Sequence, residues 1–240
     1  MIKYYYNLVY FLPLAIISGP FFTNLLVVIC SILFLIDTFK YKLFDYYNNH
    51  FFKMFIAFFI LINISSVFSD NLYSFKYTIG YLRYGIFSIF IFYILKNIDN
   101  FKLNFSYLII GLIIILLLDS LIQIIFGKNI FGYDLYTFKT GLPYVTSFFD
   151  DEKKLGSFIF RIFPLIIFSI IIIYQSVKYN KFSKYLEILF PLILILIILT
   201  TERVAIFMAS IFIILMFIKS EFFFKPKKIY FLITIGLVLL

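Results

Sequence analysis

The chain has 240 residues, 64% of them hydrophobic and only 14% charged, with a mean hydropathy of +1.06. An ordinary soluble domain is roughly half apolar and about a quarter charged, so this composition leaves too little polar surface to clothe a water-exposed globule. The formal net charge of +9 does not point to nucleic acid, because the lysines stand in short segments between apolar runs and not on an amphipathic face or among interleaved aromatics.

A membrane-crossing helix needs about 20 mainly apolar residues, within a range of about 17–25. By that measure the sequence predicts an all-α polytopic transmembrane helical bundle of about nine spans, forming a single transmembrane domain over 1–240. Residues 4–36 carry no charge, and the run is too long for one helix and slightly short for two. Gly19 and Pro20 lie in its middle, where they predict a tight turn between two short helices. Lys3 ahead of an apolar stretch resembles a signal peptide, but no small-residue cleavage site follows and more spans come after, so no cleavage is expected. The remaining spans are predicted at 52–68, 78–95, 105–125, 157–176, 186–199, 203–218 and 229–240. The chain stops inside that last apolar run at Leu240, from which the domain is expected to be incomplete at its C-terminus.

Lysine placement orients these crossings. With the N-terminus cytoplasmic, Lys76, Lys128, Lys139, Lys153 and Lys154 fall outside and the other thirteen lysines fall inside, as the positive-inside tendency requires. Residues 126–155 then form an extracytoplasmic loop, either re-entrant or lying on the surface. Its lysines are balanced by Asp134, Asp150, Asp151 and Glu152, and Gly127, Gly132, Gly141 and Pro143 punctuate it. The one cysteine, Cys30, sits in an apolar run, which excludes an intrachain disulfide and a cysteine metal site. His50, the one histidine, falls in a cytoplasmic loop and is expected to be solvated.

Candidate chemistry rests on the arginines. Only three of the 21 basic residues are arginine, and on this topology Arg83, Arg161 and Arg203 all lie in or at a span near its outer end. A charge inside the membrane costs about 2.5–3.5 kcal/mol on insertion scales and tends to face a bundle interior or a wet cavity. Arginine, unlike lysine, presents a planar fork that matches phosphate bidentately. The three together therefore suggest a shared site for a phosphorylated or acidic headgroup, although each alone also fits snorkelling to the interface. Asp119 and Gln123, spaced i, i+4, share one helix face at the same level. Asp119 is expected to pair with an arginine, the alternative being an ordinary interhelical hydrogen bond. Glu202 is expected to be a favourable charge at the N-terminus of its own helix.

These residues occur in a familiar order. Asp119-Ser-Leu-Ile-Gln123, Phe126-Gly-Lys-Asn-Ile-Phe-Gly132, Gly141 to Phe149, Asp151-Glu-Lys-Lys-Leu-Gly156-Ser157, Arg161 and Pro164 together resemble the central segment of the O-antigen ligase and polysaccharide polymerase family. Leu199-Thr-Thr-Glu-Arg203-Val-Ala205 is similar to the start of that family's ligase-related core, and the resemblance covers roughly residues 70–215. It implies a GT-C-like membrane glycosyltransferase of the bacterial inner membrane. Such an enzyme transfers a glycan from an undecaprenyl-diphosphate-linked donor to a hydroxyl acceptor, either lipid A core or a growing glycan chain. It uses no cofactor or metal and works among membrane lipids on the periplasmic face. Carried over, Arg161 and Arg203 would hold the diphosphate, with Arg83 a less secure match and Asp119, Gln123 and Glu202 in support. The family's catalytic histidine is expected beyond Leu240. An alternative from another class is a transporter or flippase for a polyprenyl-linked or anionic substrate, which repeats with discontinuous helices would favour. A structural subunit without a ligand is a third, favoured by charges that face lipid.

Overall fold

The structure, a computed structural model, describes residues 5–68, 72–137, 143–150, 152, 154–176 and 181–219, except for the side chains of 72–74, 181–187 and 213–219. Lys3, Lys139, Gly141, Asp151, Lys153, Lys178, the lysines at 225, 227 and 228 and the expected span at 229–240 lie outside the described residues. The protein is a helical membrane protein. Five of its helical stretches are long and apolar enough to cross a bilayer: Pro20–Tyr41, His50–Val67, Phe75–Asn97, Phe101–Phe126 and Leu155–Ser176. Three more of the expected spans are shorter apolar helices, Tyr6–Ile17, Ile188–Leu199 and Arg203–Phe212.

The chain divides into two compact units, Met1–Lys102 and Leu103–Leu240. The N-terminal unit opens with the expected hairpin, but its arms are unequal. A 3-10 turn at Tyr6–Phe11 leads into α1 (Leu12–Ile17), and after the turn α2 runs over Pro20–Tyr41. Gly19 adopts φ +111°, which L side chains rarely reach, and Pro20 starts α2 where a missing N–H costs nothing. The Thr23 hydroxyl closes the turn by donating to the carbonyls of Ala15 (2.9 Å) and Gly19 (3.1 Å). Asn49 then caps α3 (His50–Val67) by accepting from Phe52 N at 2.7 Å. Of α3 only Ser66 is buried, while Phe51, Met54, Phe58 and Leu61 are exposed, an apolar face for lipid.

The span expected at 78–95 begins earlier and is broken. α4 (Leu72–Gly80) and α5 (Leu82–Asn97) meet at Tyr81, where Tyr81 N donates to Thr78 O and Tyr84 N to Tyr81 O, the tighter i→i−3 pattern. α2 packs chiefly on α5, around Phe34, Ile89, Phe90 and Ile94, each at most 1% exposed. Gly85 lets α3 approach, since a Cβ there would lie 2.2 Å from the Phe55 ring.

In the C-terminal unit α6 (Phe101–Phe126) is followed by a loop, then by α7 (Leu155–Ser176), α8 (Lys181–Leu199) and α9 (Arg203–Lys219). α7 packs against both α8 and α9. Its apolar stripe of Leu155, Ile159, Phe163, Ile166, Ile170 and Ile173 is buried, at the helical spacing expected for one face. Phe163 is fully buried between Phe190 and Phe212, both centroids at 5.6 Å. The loop carries one small exception to the all-α expectation, β1 (Tyr136–Thr137) paired antiparallel with β2 (Pro143–Tyr144).

Candidate functional site

Helical spacing puts Asp119 and Gln123 one turn apart on α6, and both are fully buried. An ionised carboxylate away from water costs several kcal/mol unless donors surround it. The expected arginine is not its partner. Asp119 accepts instead from three neutral donors: Ile130 N at 3.0 Å, Asn129 Nδ2 at 3.4 Å and the Ser147 hydroxyl at 2.5 Å. The reason is the path of the loop. Asp119 lies seven residues before the end of α6, about 10 Å along its axis, and the loop folds back that far to reach it. Loop residues Asn129, Ile130 and Ser147 are thereby held against α6.

Gln123 completes the anchorage. Its Oε1 accepts from Thr146 N (3.1 Å) and Ser147 N (2.9 Å), and its Nε2 donates to Asp134 O (3.1 Å), Thr146 Oγ1 (3.1 Å) and Tyr133 O (3.5 Å). Asn129 locks the tip, with Nδ2 donating to Ser147 O at 2.7 Å and Oδ1 accepting from Phe131 N and Tyr133 N. Gly127 and Gly132 take positive φ, and Leu135 N donates to Gly127 O at 2.7 Å. Ser147, which is not glycine, is also held at φ +52°, a conformation costing about 1–2 kcal/mol that its bonds to Asp119, Gln123 and Asn129 offset. The surface ion pair Lys128–Asp134 at 3.3 Å adds little, because solvent screens it.

Glu202 does more than its sequence position suggests. Its backbone carbonyl accepts from Ile206 N (3.0 Å) at the start of α9, but its charge is not spent on that helix as expected. Its carboxylate reaches back to the first turn of α7, accepting from Gly156 N (2.7 Å), Ser157 N (2.9 Å) and the Ser157 hydroxyl. The first-turn amides of α7 would otherwise be orphans, and a negative charge is favoured there. Gly156 makes the approach feasible, since a Cβ at that position would fall 2.3 Å from Thr200 Oγ1 and 3.1 Å from Glu202 Oε1.

Two of the arginines lie near this contact in the sequence. Arg203 follows Glu202 directly, and Arg161 lies one turn beyond Ser157 on α7, about 6 Å along the axis. Both are exposed. Among the described residues the only ion pairs are Lys128–Asp134 and Lys154–Glu152, and neither Arg161 nor Arg203 has a side-chain hydrogen bond. Because Glu202 is committed to α7, it does not neutralise its neighbour. Arg83 belongs to the N-terminal unit. Its Nη2 donates to Asn24 Oδ1 (3.4 Å) and Tyr84 OH (3.2 Å), and its guanidinium lies 4.9 Å from the Tyr84 ring centroid. His50 is exposed at the start of α3. Among the described residues no three His, Cys, Asp or Glu side chains gather to hold a metal ion.

Asn129, Thr146, Ser147 and Gly156 are the contributors that sequence reasoning missed. Gly156-Ser157 at a helix start was the one readable sign of a close approach, and the Asx-type turn at Asn129 had a hint in the flanking Gly127 and Gly132. The segments 119–123, 127–135 and 145–147 are thus wired into one polar cluster, and the starts of α7 and α9 are joined through a carboxylate, with Arg161 and Arg203 on those helices unpaired among the described residues. Compared with protein-family models, with curated proteins and with solved structures, the chain matches none of them.

Proposed function

We propose that the protein acts as a membrane glycosyltransferase of the O-antigen ligase and polysaccharide polymerase kind, in the inner membrane of a bacterium. Its donor would be an undecaprenyl-diphosphate-linked glycan and its acceptor a hydroxyl of lipid A core or of a growing glycan chain. The acceptor hydroxyl oxygen bonds to the anomeric carbon and gives up its proton to water, the bond from that carbon to the diphosphate breaks, and the lipid diphosphate leaves with the electron pair. Fixed cations aimed at the leaving oxygens favour that charge as it develops. The observation that supports this reading is the engagement of Glu202 by the α7 amides, which leaves Arg203 and Arg161 on joined helices with no carboxylate partner among the described residues. The same engagement occupies the α7 N-terminus, so an anion would meet the guanidinium groups and not the helix end.

Binding of undecaprenyl diphosphate to the purified protein in lipid nanodiscs tests the reading. Arg161→Lys and Arg203→Lys keep the charge and lose the planar fork, and each is expected to weaken binding about tenfold or more while undecaprenol binds neither parent nor variant specifically. Unchanged affinity in both variants would overturn the assignment. A carrier would bind the same lipid, so glycosylated acceptor formed from the labelled donor is the second readout. Its absence despite tight binding would favour transport.

A further inference from the structure

The N-terminal unit contains an apolar slot of about 320 Å³ between α2 and the α4–α5 segment, walled by Val28, Ile32 and Leu35 on one side and Ile79 and Ile86 on the other. Arg83 also lines it. Val28 to Leu35 extends the slot about 10 Å along α2, and the contact of Arg83 with Asn24, four residues before Val28, puts the cation toward one end. The guanidinium has no carboxylate partner among the described residues. Its Nε–H is buried without a partner. The neutral groups around it are already shared, because Asn24 Oδ1 also accepts from Tyr84 OH at 2.7 Å. A cation in an apolar wall with donors left over calls for an anion that brings its own apolar part.

We propose that this slot binds an anionic glycerophospholipid, with the phosphodiester on Arg83 and one acyl chain along α2 from Val28 toward Leu35. One guanidinium matches the single charge of a phosphodiester, and the aliphatic walls beyond it match a hydrocarbon chain and not a free ion. The site rests on Arg83, which the sequence resemblance matched to the diphosphate less securely, and not on the Arg161 and Arg203 of the proposed diphosphate site, so it does not depend on that reading.

The test uses the whole protein in nanodiscs containing phosphatidylglycerol with a photoactivatable acyl chain, the attached peptides being identified by mass spectrometry. Cross-links are expected to concentrate on peptides carrying Val28, Ile32 and Ile86. They should fall about tenfold in Arg83→Gln and with the zwitterionic choline lipid of the same chains. Leu35→Trp, which fills the slot and leaves the cation in place, should abolish them, and this variant decides the matter if Arg83→Gln does not fold. Labelling spread evenly over the helices, or unchanged in both variants, would overturn the proposal. So would full displacement by inorganic phosphate or by stoichiometric undecaprenyl diphosphate, each of which would make the slot a site for that ligand. Binding of undecaprenyl diphosphate through Arg161 and Arg203 should survive Arg83→Gln, so the two proposals fail separately.

Discussion

The two units solve the same problem differently. Between helices in lipid, apolar burial gives little net drive, and association rests on packing and on polar contacts. The N-terminal unit uses rings: Phe34 meets Phe90 at 5.3 Å and Tyr93 at 5.8 Å, and Tyr46 meets Tyr93 at 5.0 Å. Its cross-helix polar contacts are mostly single side-chain pairs, such as Asn24 with Tyr84 (2.7 Å) and Asn63 with Thr78 (3.0 Å). In the C-terminal unit three side chains, Asp119, Gln123 and Glu202, each take several groups, those of Gln123 and Glu202 mostly on the backbone. Ring packing is shared among many small contacts, so it degrades by degrees. A buried polar anchor fails as a whole, because each lost partner leaves an unsatisfied group.

The sharpest way to break that contrast is Gln123→Ala. It orphans the buried amides of Thr146 and Ser147, and the expected loss is about 3 kcal/mol. Hydrogen exchange at those two amides should accelerate to the rate of an open loop while α2 and α5 keep their protection. Gly156→Ala comes next. The added Cβ overlaps Thr200 Oγ1, a fully buried group, and overpacking of this kind costs about 2 kcal/mol. Thermal unfolding in detergent should show the loss and Thr200→Ala, combined with it, should recover part. Retained stability in Gly156→Ala alone would show that the two helix ends are less tightly joined than the contacts imply. Phe34→Leu should cost only about 1 kcal/mol, with faster exchange confined to α2 and α5. An effect as large as that of Gln123→Ala would erase the distinction between the units.

What the sequence made legible follows from which signals are local. Gly19-Pro20 marked the hairpin turn because a positive φ and a missing N–H are properties of those residues themselves. The spacing of Asp119 and Gln123 revealed a polar face on α6, and Glu202 stood visibly at a helix start. Their partners were hidden, because the donors are mainly backbone N–H groups, which nearly every residue carries. An arginine therefore looked like the natural counterpart for Asp119, whereas the loop supplied neutral donors. The 3-10 turn at Tyr6–Phe11 shortened the first arm with no Gly or Pro inside it to announce the change. The step at Tyr81 was hidden although Gly80 stands beside it, because the apolar run continues on both sides.

The reach of Glu202 has a consequence in time. Asp119 and Gln123 leave the ribosome before the loop segments they hold, so those bonds can close as soon as Ser147 has been made. Gly156 must wait for a residue 46 positions later. At about 5–20 residues per second, synthesis of that interval takes roughly 2–9 s, and throughout it the first-turn amides of α7 have only water or lipid headgroups to satisfy them. Biogenesis of this unit is thereby ordered: the loop sets first, and the end of α7 is sealed only when the start of α9 arrives.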